Sequence, residues 1–245
     1  MPDSNLKGDD RLPIYQRLAD TLRGEIVDHV RLPGDRVPSE NVLAEDYGVS
    51  TGTARKALDV LVQEHLMERF HGRGTFVRRP NFDQSLFRFF RFRGPNGEWS
   101  MPTGRILKRD VEPVPSYVAR KLGLDEGQPA ISISRMRFVD DAPVLIEEIW
   151  LPLERFEAFL SIPQAEVGDL LYPIYDSLCG QLIARAEEEL TAEQAVPEIA
   201  RPLRIDAGAP VIVIDRLAKG YDDTPLEWRR SRGSAKHFHY HTEIR

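Results

Sequence analysis

The stretch Ser39-Glu40-Asn41-Val42-Leu43-Ala44-Glu45-Asp46-Tyr47-Gly48-Val49-Ser50-Thr51-Gly52-Thr53-Ala54-Arg55-Lys56-Ala57-Leu58 decides the fold of the N-terminal third. Ser39 offers a capping hydroxyl to a short helix whose Val42, Leu43 and Tyr47 should face inward, and Gly48 supplies a left-handed stop. Ser50 caps the next helix, where Ala54, Ala57, Leu58, Leu61 and Val62 form one apolar stripe expected to run to about His65. Upstream, Ile14, Leu18, Leu22 and Ile26 recur every four residues behind Pro13, with Ala19 on the same face, which predicts a first helix. Leu32-Pro33-Gly34-Asp35 reads as a turn. Downstream, 66–70 and 75–77 read as strands around the tip His71-Gly72-Arg73-Gly74. Three helices and a basic hairpin over 12–79 make a winged helix-turn-helix whose third helix can enter a major groove.

Opposite the apolar stripe lie Thr51, Gly52, Thr53, Arg55 and Lys56. Short side chains allow close approach, and Arg55 can fork onto a guanine or a phosphate. Arg73, between two glycines, can reach an adjacent minor groove. Arg55 and Lys56 alone would also describe a solvated helix face; joined to the turn and the glycine-flanked hairpin they point to double-stranded DNA. Net charge is −6, with 33 Lys and Arg against 39 Asp and Glu, which would repel a polyanion if spread evenly. It is not spread evenly, since Arg69 to Arg93 holds seven arginines against Asp83 alone. One recognition helix spans few base pairs, so a homodimer on an inverted-repeat operator is expected.

The 245 residues suit two compact units, and 41% hydrophobic with 29% charged residues excludes wholesale disorder. No apolar run is long enough to span a bilayer and the first ten residues are polar, so no membrane partner is expected and the setting is cytoplasmic. Cys179 stands alone, which argues against disulfide, redox or metal chemistry and implies no cofactor. His237, His239 and His241 alternate as metal ligands can, but without further ligands nearby they read as a solvent-facing edge strand, with no metal. Residues 1–11 read as a loose tail and 80–102 as a linker with a first strand. Within it, Leu86-Phe87-Arg88-Phe89-Phe90-Arg91-Phe92-Arg93 fits a two-faced strand better than a stacking platform for single-stranded nucleic acid.

The second half carries a repeat. The run from Ala119 to Arg135, including Leu122-Gly123-Leu124-Asp125-Glu126-Gly127-Gln128-Pro129, returns 81 positions later from Ala200 to Arg216, including Leu203-Arg204-Ile205-Asp206-Ala207-Gly208-Ala209-Pro210. Each copy reads helix, turn, strand and continues through Asp140-Asp141-Ala142-Pro143 or Asp222-Asp223-Thr224-Pro225 into a second strand. Two related hairpins in one antiparallel sheet backed by helices give an α+β unit. Arg135 and Arg137, two apart on a strand, share a face and can grip a carboxylate or phosphate, with Glu147 on the partner strand balancing them. An exposed cross-strand salt-bridge network would use the same residues. Arg229, Arg230 and Arg232 divide similarly between ligand site and dimer surface. No phosphate loop, nucleophile elbow or zinc helix is present; a lyase-like enzyme in the C-terminal half, or an architectural DNA protein, are the rival readings.

Two resemblances sharpen this. Pro38-Ser39-Glu40, Leu43-Ala44-Glu45, Gly48-Val49-Ser50, Thr53-Ala54-Arg55-Lys56-Ala57-Leu58 and Gly72-Arg73-Gly74-Thr75-Phe76-Val77 resemble the GntR-type winged helix of bacterial transcription regulators. That resemblance implies DNA contacts from Arg36, Ser39, Glu40, Ser50, Thr51, Gly52, Thr53, Arg55, Lys56, His71, Gly72, Arg73 and Gly74, with Asn41 and Thr51 where the family often has arginines. The repeat, with Leu170-Leu171-Tyr172, Ala184-Arg185-Ala186-Glu187 and Pro225-Leu226-Glu227-Trp228, resembles the UTRA effector domain of the HutC subfamily over 103–245. It implies a chorismate-lyase-like sheet and a small-molecule cleft: Arg135 and Arg137 on an anionic group, Glu147 on hydroxyl or ammonium hydrogens, and Tyr172, Arg185, Glu227 and Arg229 alongside. Leu170 and Gly233 depart from the sugar-phosphate-binding pattern. The implied function is a ligand-responsive, nucleoid-associated bacterial repressor released by a small anionic metabolite.

Overall fold

A computed structural model describes Leu6 and residues 11–79 and 102–238. The Phe/Arg stretch, His239, His241 and most of the tail lie outside the described residues. The chain divides into two compact units.

In the first unit, α1 (Ile14–Val27), α2 (Glu40–Asp46) and α3 (Thr51–Gln63) precede a hairpin of β1 (Met67–Phe70) and β2 (Gly74–Val77). Leu18, Leu22 and Ile26 meet Leu43, Ala54, Ala57, Leu58 and Leu61 in the fully buried core, as the four-residue spacing predicts. Four expected core residues are outside it: Ile14 is 55% exposed, because it opens α1, Val42 is 44% exposed, because on the two-turn α2 only Leu43 is buried, and Tyr47 and Val62 are half-buried. Ser39 and Ser50 cap α2 and α3 by accepting from the Val42 and Thr53 amides. Gly48 takes the left-handed conformation between them, φ 63°. Helix α3 stops at Gln63, short of the expected His65, whose own φ of 60° ends the turn. In the wing Phe70 pairs with Gly74, so the tip is His71-Gly72-Arg73 alone. Residues 34–37 run alongside β2, the Val37 amide donating to Thr75 O and the Val77 amide to Asp35 O, which fixes Arg36 beside the wing.

The second unit is one six-stranded antiparallel sheet, β3 (Thr103–Pro113), β4 (Pro129–Val139), β5 (Ala142–Pro152), β6 (Arg185–Gln194), β7 (Pro210–Lys219) and β8 (Pro225–Ser234), ordered β3-β4-β5-β8-β7-β6. Helices α4 (Ser116–Leu122) and α7 (Pro197–Leu203) fall in the two copies of the repeat, while α5 (Leu153–Phe156) and α6 (Tyr172–Cys179) lie between them. The strand order is palindromic: β3, α4, β4 and β5 correspond to β6, α7, β7 and β8 about the central β5–β8 pair, where Trp150 faces Trp228. The repeat is thus one strand longer than its sequence signature. One sheet face is covered by α4 and α7, packed on Trp150, Trp228, Met136 and Val211. The other buries Ile131, Ile133, Ile149 and Leu151 against Phe156, Phe159 and Tyr175. His237 sits in a 3-10 turn, Ala235–His237, not on the edge strand expected of it.

Candidate DNA-reading cleft and effector cluster

In the first unit α2, α3 and the wing enclose a cleft of about 500 Å³. Arg36, Ser39, Glu40, Thr51, Arg55, His71, Gly72 and Gly74 line it, together with Asn41 and Arg69, which had no place among the expected contacts. Ser50, Gly52, Thr53, Lys56 and Arg73 do not line it. Lys56 is exposed, but its Nζ lies 3.9 Å over the Tyr15 ring of α1, and Arg73 stacks 5.5 Å over Phe70. Arg55, expected as a free fork, is exposed yet donates from Nε to a Glu40 oxygen at 2.9 Å, and its Nη2 is ion-paired with the same oxygen at 2.8 Å. Burial barely touches Arg55; the hydrogen bond and charge of Glu40 hold its pKa above the ordinary guanidinium value.

In the second unit the strand register lays polar side chains in rows on the face covered by α6. Arg135, Glu147 and Ser231 stand side by side on β4, β5 and β8. Arg137 follows beside Arg135, and Arg216 and Arg229 form a row on β7 and β8. Arg135, Arg137, Arg216, Arg229, Glu147, Glu227 and Ser231 are all buried. An exposed network was the alternative to a ligand site; burial of every member removes it. Glu227 accepts from Tyr172 Oη at 3.0 Å, Tyr175 Oη at 2.9 Å and Arg229 Nε and Nη2 at 3.0 and 2.7 Å. Arg216 reaches Glu188 at 2.5 Å and Tyr172 Oη at 3.3 Å. Glu147 lies 3.3 Å from Arg229 and 3.7 Å from Arg135.

The two arginines read as anion grips are occupied by main chain. Arg135 Nη2 donates to Gly168 O at 3.1 Å and Asp169 O at 2.7 Å, and Arg137 Nη1 to Asp169 O at 2.6 Å. The Asp169 carboxylate in turn accepts from the Gly104 amide at 2.5 Å. A Cβ at Gly104 would sit 2.6 Å from Arg135 Nε and closer still to Cζ and Nη2, so a side chain there displaces the guanidinium. Arg135 Nε, Glu147 Oε2 and Ser231 Oγ find no hydrogen-bond partner among the described residues.

Alternation across the sheet separates the β8 arginines. Arg229 joins the cluster, while Arg230 pairs with Asp215 at 2.6 Å between Tyr117 and Trp228, and Arg232 with Glu193 at 2.6 Å, on the opposite face. Arg185, expected at the ligand, is 40% exposed and pairs with Glu187 at 2.7 Å, on the face away from Glu188. Arg216, Tyr175, Glu188 and Ser231 belong to the cluster without having been expected there.

Electrostatics follow the geometry. Burial pulls Arg137 down to about 10 and lowers Arg135 as well, only partly offset by Glu147. For Arg229 burial acts the same way, but Glu227 and then Glu147 outweigh it and raise its pKa. Burial and the Glu227 charge push Tyr172 up to about 12. Burial disfavours the Glu147 carboxylate, yet Arg229, then Arg135 and Arg137, hold it below the ordinary 4.5. A carboxylate whose folded pKa is depressed stabilises above its unfolded value and loses that contribution as pH falls. The urea midpoint of this unit should therefore drop between pH 7 and about pH 3.5, and drop less in Glu147→Gln; equal drops would mean that Glu147 is not held ionised.

Among the described residues no group of three or more His, Cys, Asp or Glu could hold a metal, and no helix is long and apolar enough to cross a membrane. The family model for bacterial regulatory proteins of the gntR family matches residues 14–77, and that for the UTRA domain matches 100–239. The chain is 31% identical over 228 residues to the transcriptional repressor NagR of Bacillus subtilis, covering 93% of each chain. It is 26% identical to the mannosyl-D-glycerate transport/metabolism system repressor MngR of Escherichia coli, over 89% of this chain and 90% of that one. Among solved structures, the ligand-binding domain of a GntR-family regulator from Bordetella bronchiseptica aligns with TM-score 0.55 and 31% identity, over 59% of this chain and 92% of that one. PhnF of Mycobacterium smegmatis shares the fold, with TM-score 0.55 at 22% identity over 93% of this chain and 99% of its own. The matched relatives are transcription regulators and not lyase-like enzymes. The chain belongs to the GntR family of bacterial transcription regulators, with a UTRA domain as its second unit.

Proposed function

We propose that the protein is a homodimeric repressor that reads an inverted repeat and leaves it when a small anionic metabolite binds the polar face of the UTRA sheet. The observation that carries the ligand chemistry is the burial of four arginines, two with pKa values pulled down, around two buried carboxylates and Glu188 at their edge. An isolated buried cation is expensive, so a site arranged this way gains from an anion. The Gly168 and Asp169 carbonyls hold the donors in its place. An entering carboxylate or phosphate exchanges those neutral acceptors for a charged one, and charge-assisted bonds are about twice as strong. The name of MngR points the same way, since the glycerate of mannosyl-D-glycerate bears a carboxylate. Release of DNA needs a ligand that prefers one state of the dimer by about 1–3 kcal/mol, which shifts operator affinity roughly 5–150-fold.

The test is a gel shift with light scattering on the full chain. Arg55→Ala and Arg73→Ala should each weaken binding by about 1–3 kcal/mol with the fold intact. Dimeric mass with one dimer per duplex is expected. A monomer bound as a monomer, or unchanged affinity in both variants, would reject the reading.

A further inference from the structure

We propose that Glu40 is a specificity-determining residue of the DNA-reading cleft, acting by aiming Arg55. Glu40 opens α2, and its Oε2 accepts from Arg55 Nε of α3 at 2.9 Å, with Nη2 of the same guanidinium ion-paired 2.8 Å away. Its Oε1 faces Arg69 Nη2 of β1 at 3.7 Å, and Arg69 Nη1 reaches Asp59 of α3 at 3.0 Å. One carboxylate thus joins the three elements that line the cleft.

A carboxylate on a face whose partner is a polyanion weakens binding to every DNA sequence, because each phosphate repels it. Exposed ion pairs such as these contribute little to folding, so stability does not account for it. The cost is recovered only if it falls unequally on different sequences, which is how specificity arises from a repulsive element. The geometry supplies the inequality. An unrestrained arginine swings its five donors onto any nearby phosphate. Arg55 has its Nε held and its Nη2 ion-paired to one carboxylate, which fixes the guanidinium plane, so the remaining donors point one way and fork onto a base only where guanine O6 and N7 lie in front of them. An arginine aimed in this way favours a G·C pair in one orientation.

The experiment starts by enriching a randomised duplex pool on the full-length wild type. Affinities are then measured for the enriched duplex, all its single-base changes and an unrelated duplex, using wild type, Glu40→Ala, Arg55→Ala and the double variant. Glu40→Ala should bind the unrelated duplex at least as well as wild type, while its preference for the enriched duplex falls about tenfold. The lost discrimination should fall at the G·C pair that Arg55→Ala also stops reading, and the double variant should lose no more than Arg55→Ala alone. Glu40→Gln keeps one acceptor oxygen for Arg55 and should retain part of the preference; it also carries the comparison if the alanine variant unfolds. Equal weakening on every duplex, losses that add to those of Arg55→Ala, or loss at a different base pair would each overturn the proposal. So would a wild type that enriches no sequence.

Discussion

Glu227→Ala should destabilise the UTRA unit by about 3–5 kcal/mol, because it removes one partner of a buried ion pair and leaves the other uncompensated. Glu227 is fully buried and accepts four hydrogen bonds, from two tyrosines of α6 and from both Nε and Nη2 of Arg229. Without it Arg229 retains only the longer 3.3 Å approach to Glu147, the half-buried Tyr172 Oη still meets Arg216, and the buried Tyr175 hydroxyl loses its acceptor. Each buried hydroxyl left without a partner costs about 1–3 kcal/mol. Relaxation of α6 recovers part of that, which keeps the expected total below the simple sum. All three tryptophans (Trp99, Trp150 and Trp228) follow the winged helix in the chain, so urea unfolding followed by their fluorescence reports the second unit. Glu227→Gln keeps one acceptor oxygen and should cost less. A shift under about 1 kcal/mol for the alanine variant would mean that the tyrosines and Arg229 find other partners, and that α6 is not pinned by this carboxylate.

The winged helix was legible because local rules dominate there. Ser39, Gly48 and Ser50 specify helix ends by their own chemistry, and Leu18, Leu22 and Ile26 of α1 with Ala54, Ala57, Leu58 and Leu61 of α3 lie in the core. Val42 and Ile14 were misplaced for the same reason: on a two-turn helix, and at a helix start, periodicity samples too few turns to define a face. In the sheet the repeat itself locates a further member of the cluster. Arg216 stands 81 positions after Arg135, the spacing of the repeat itself, and the palindromic strand order places both on one face. Alternation along β8 likewise separates Arg229 from Arg230 and Arg232. The edge strands β3 and β6 escaped the repeat because edges pack on one neighbour only, so their side chains diverge while the pairing persists. The Gly168 and Asp169 contacts had no legible signal at all, since a backbone carbonyl accepts in the same way whatever side chain it carries.

Those carbonyls make Arg135→Ala with Arg137→Ala the second large effect, on ligand response rather than on folding. In the structure the pair holds the 168–169 segment. In the proposed complex the same donors hold the anion. Hydrogen bonds to a charged group contribute about 1.5–3 kcal/mol each, so removing both guanidiniums should weaken an anionic ligand by roughly 100-fold or more. Folding should suffer less than that, because both cations are disfavoured by burial and their removal also relieves their mutual repulsion. A thermal-shift screen of phosphorylated sugars and small carboxylates on wild type identifies a working ligand, since only one that binds the folded state raises the melting temperature. Operator release is then titrated with that compound for wild type, the double variant and Gly104→Ala. The glycine variant keeps both arginines but displaces the Arg135 guanidinium, so it should lose part of the response with no charge removed. Loss in the double variant with an intermediate Gly104→Ala places the anion on these two donors. Equal release by all three proteins at equal ligand concentration would make Arg135 and Arg137 structural clamps for residues 168–169, and would move the ligand to another part of the sheet.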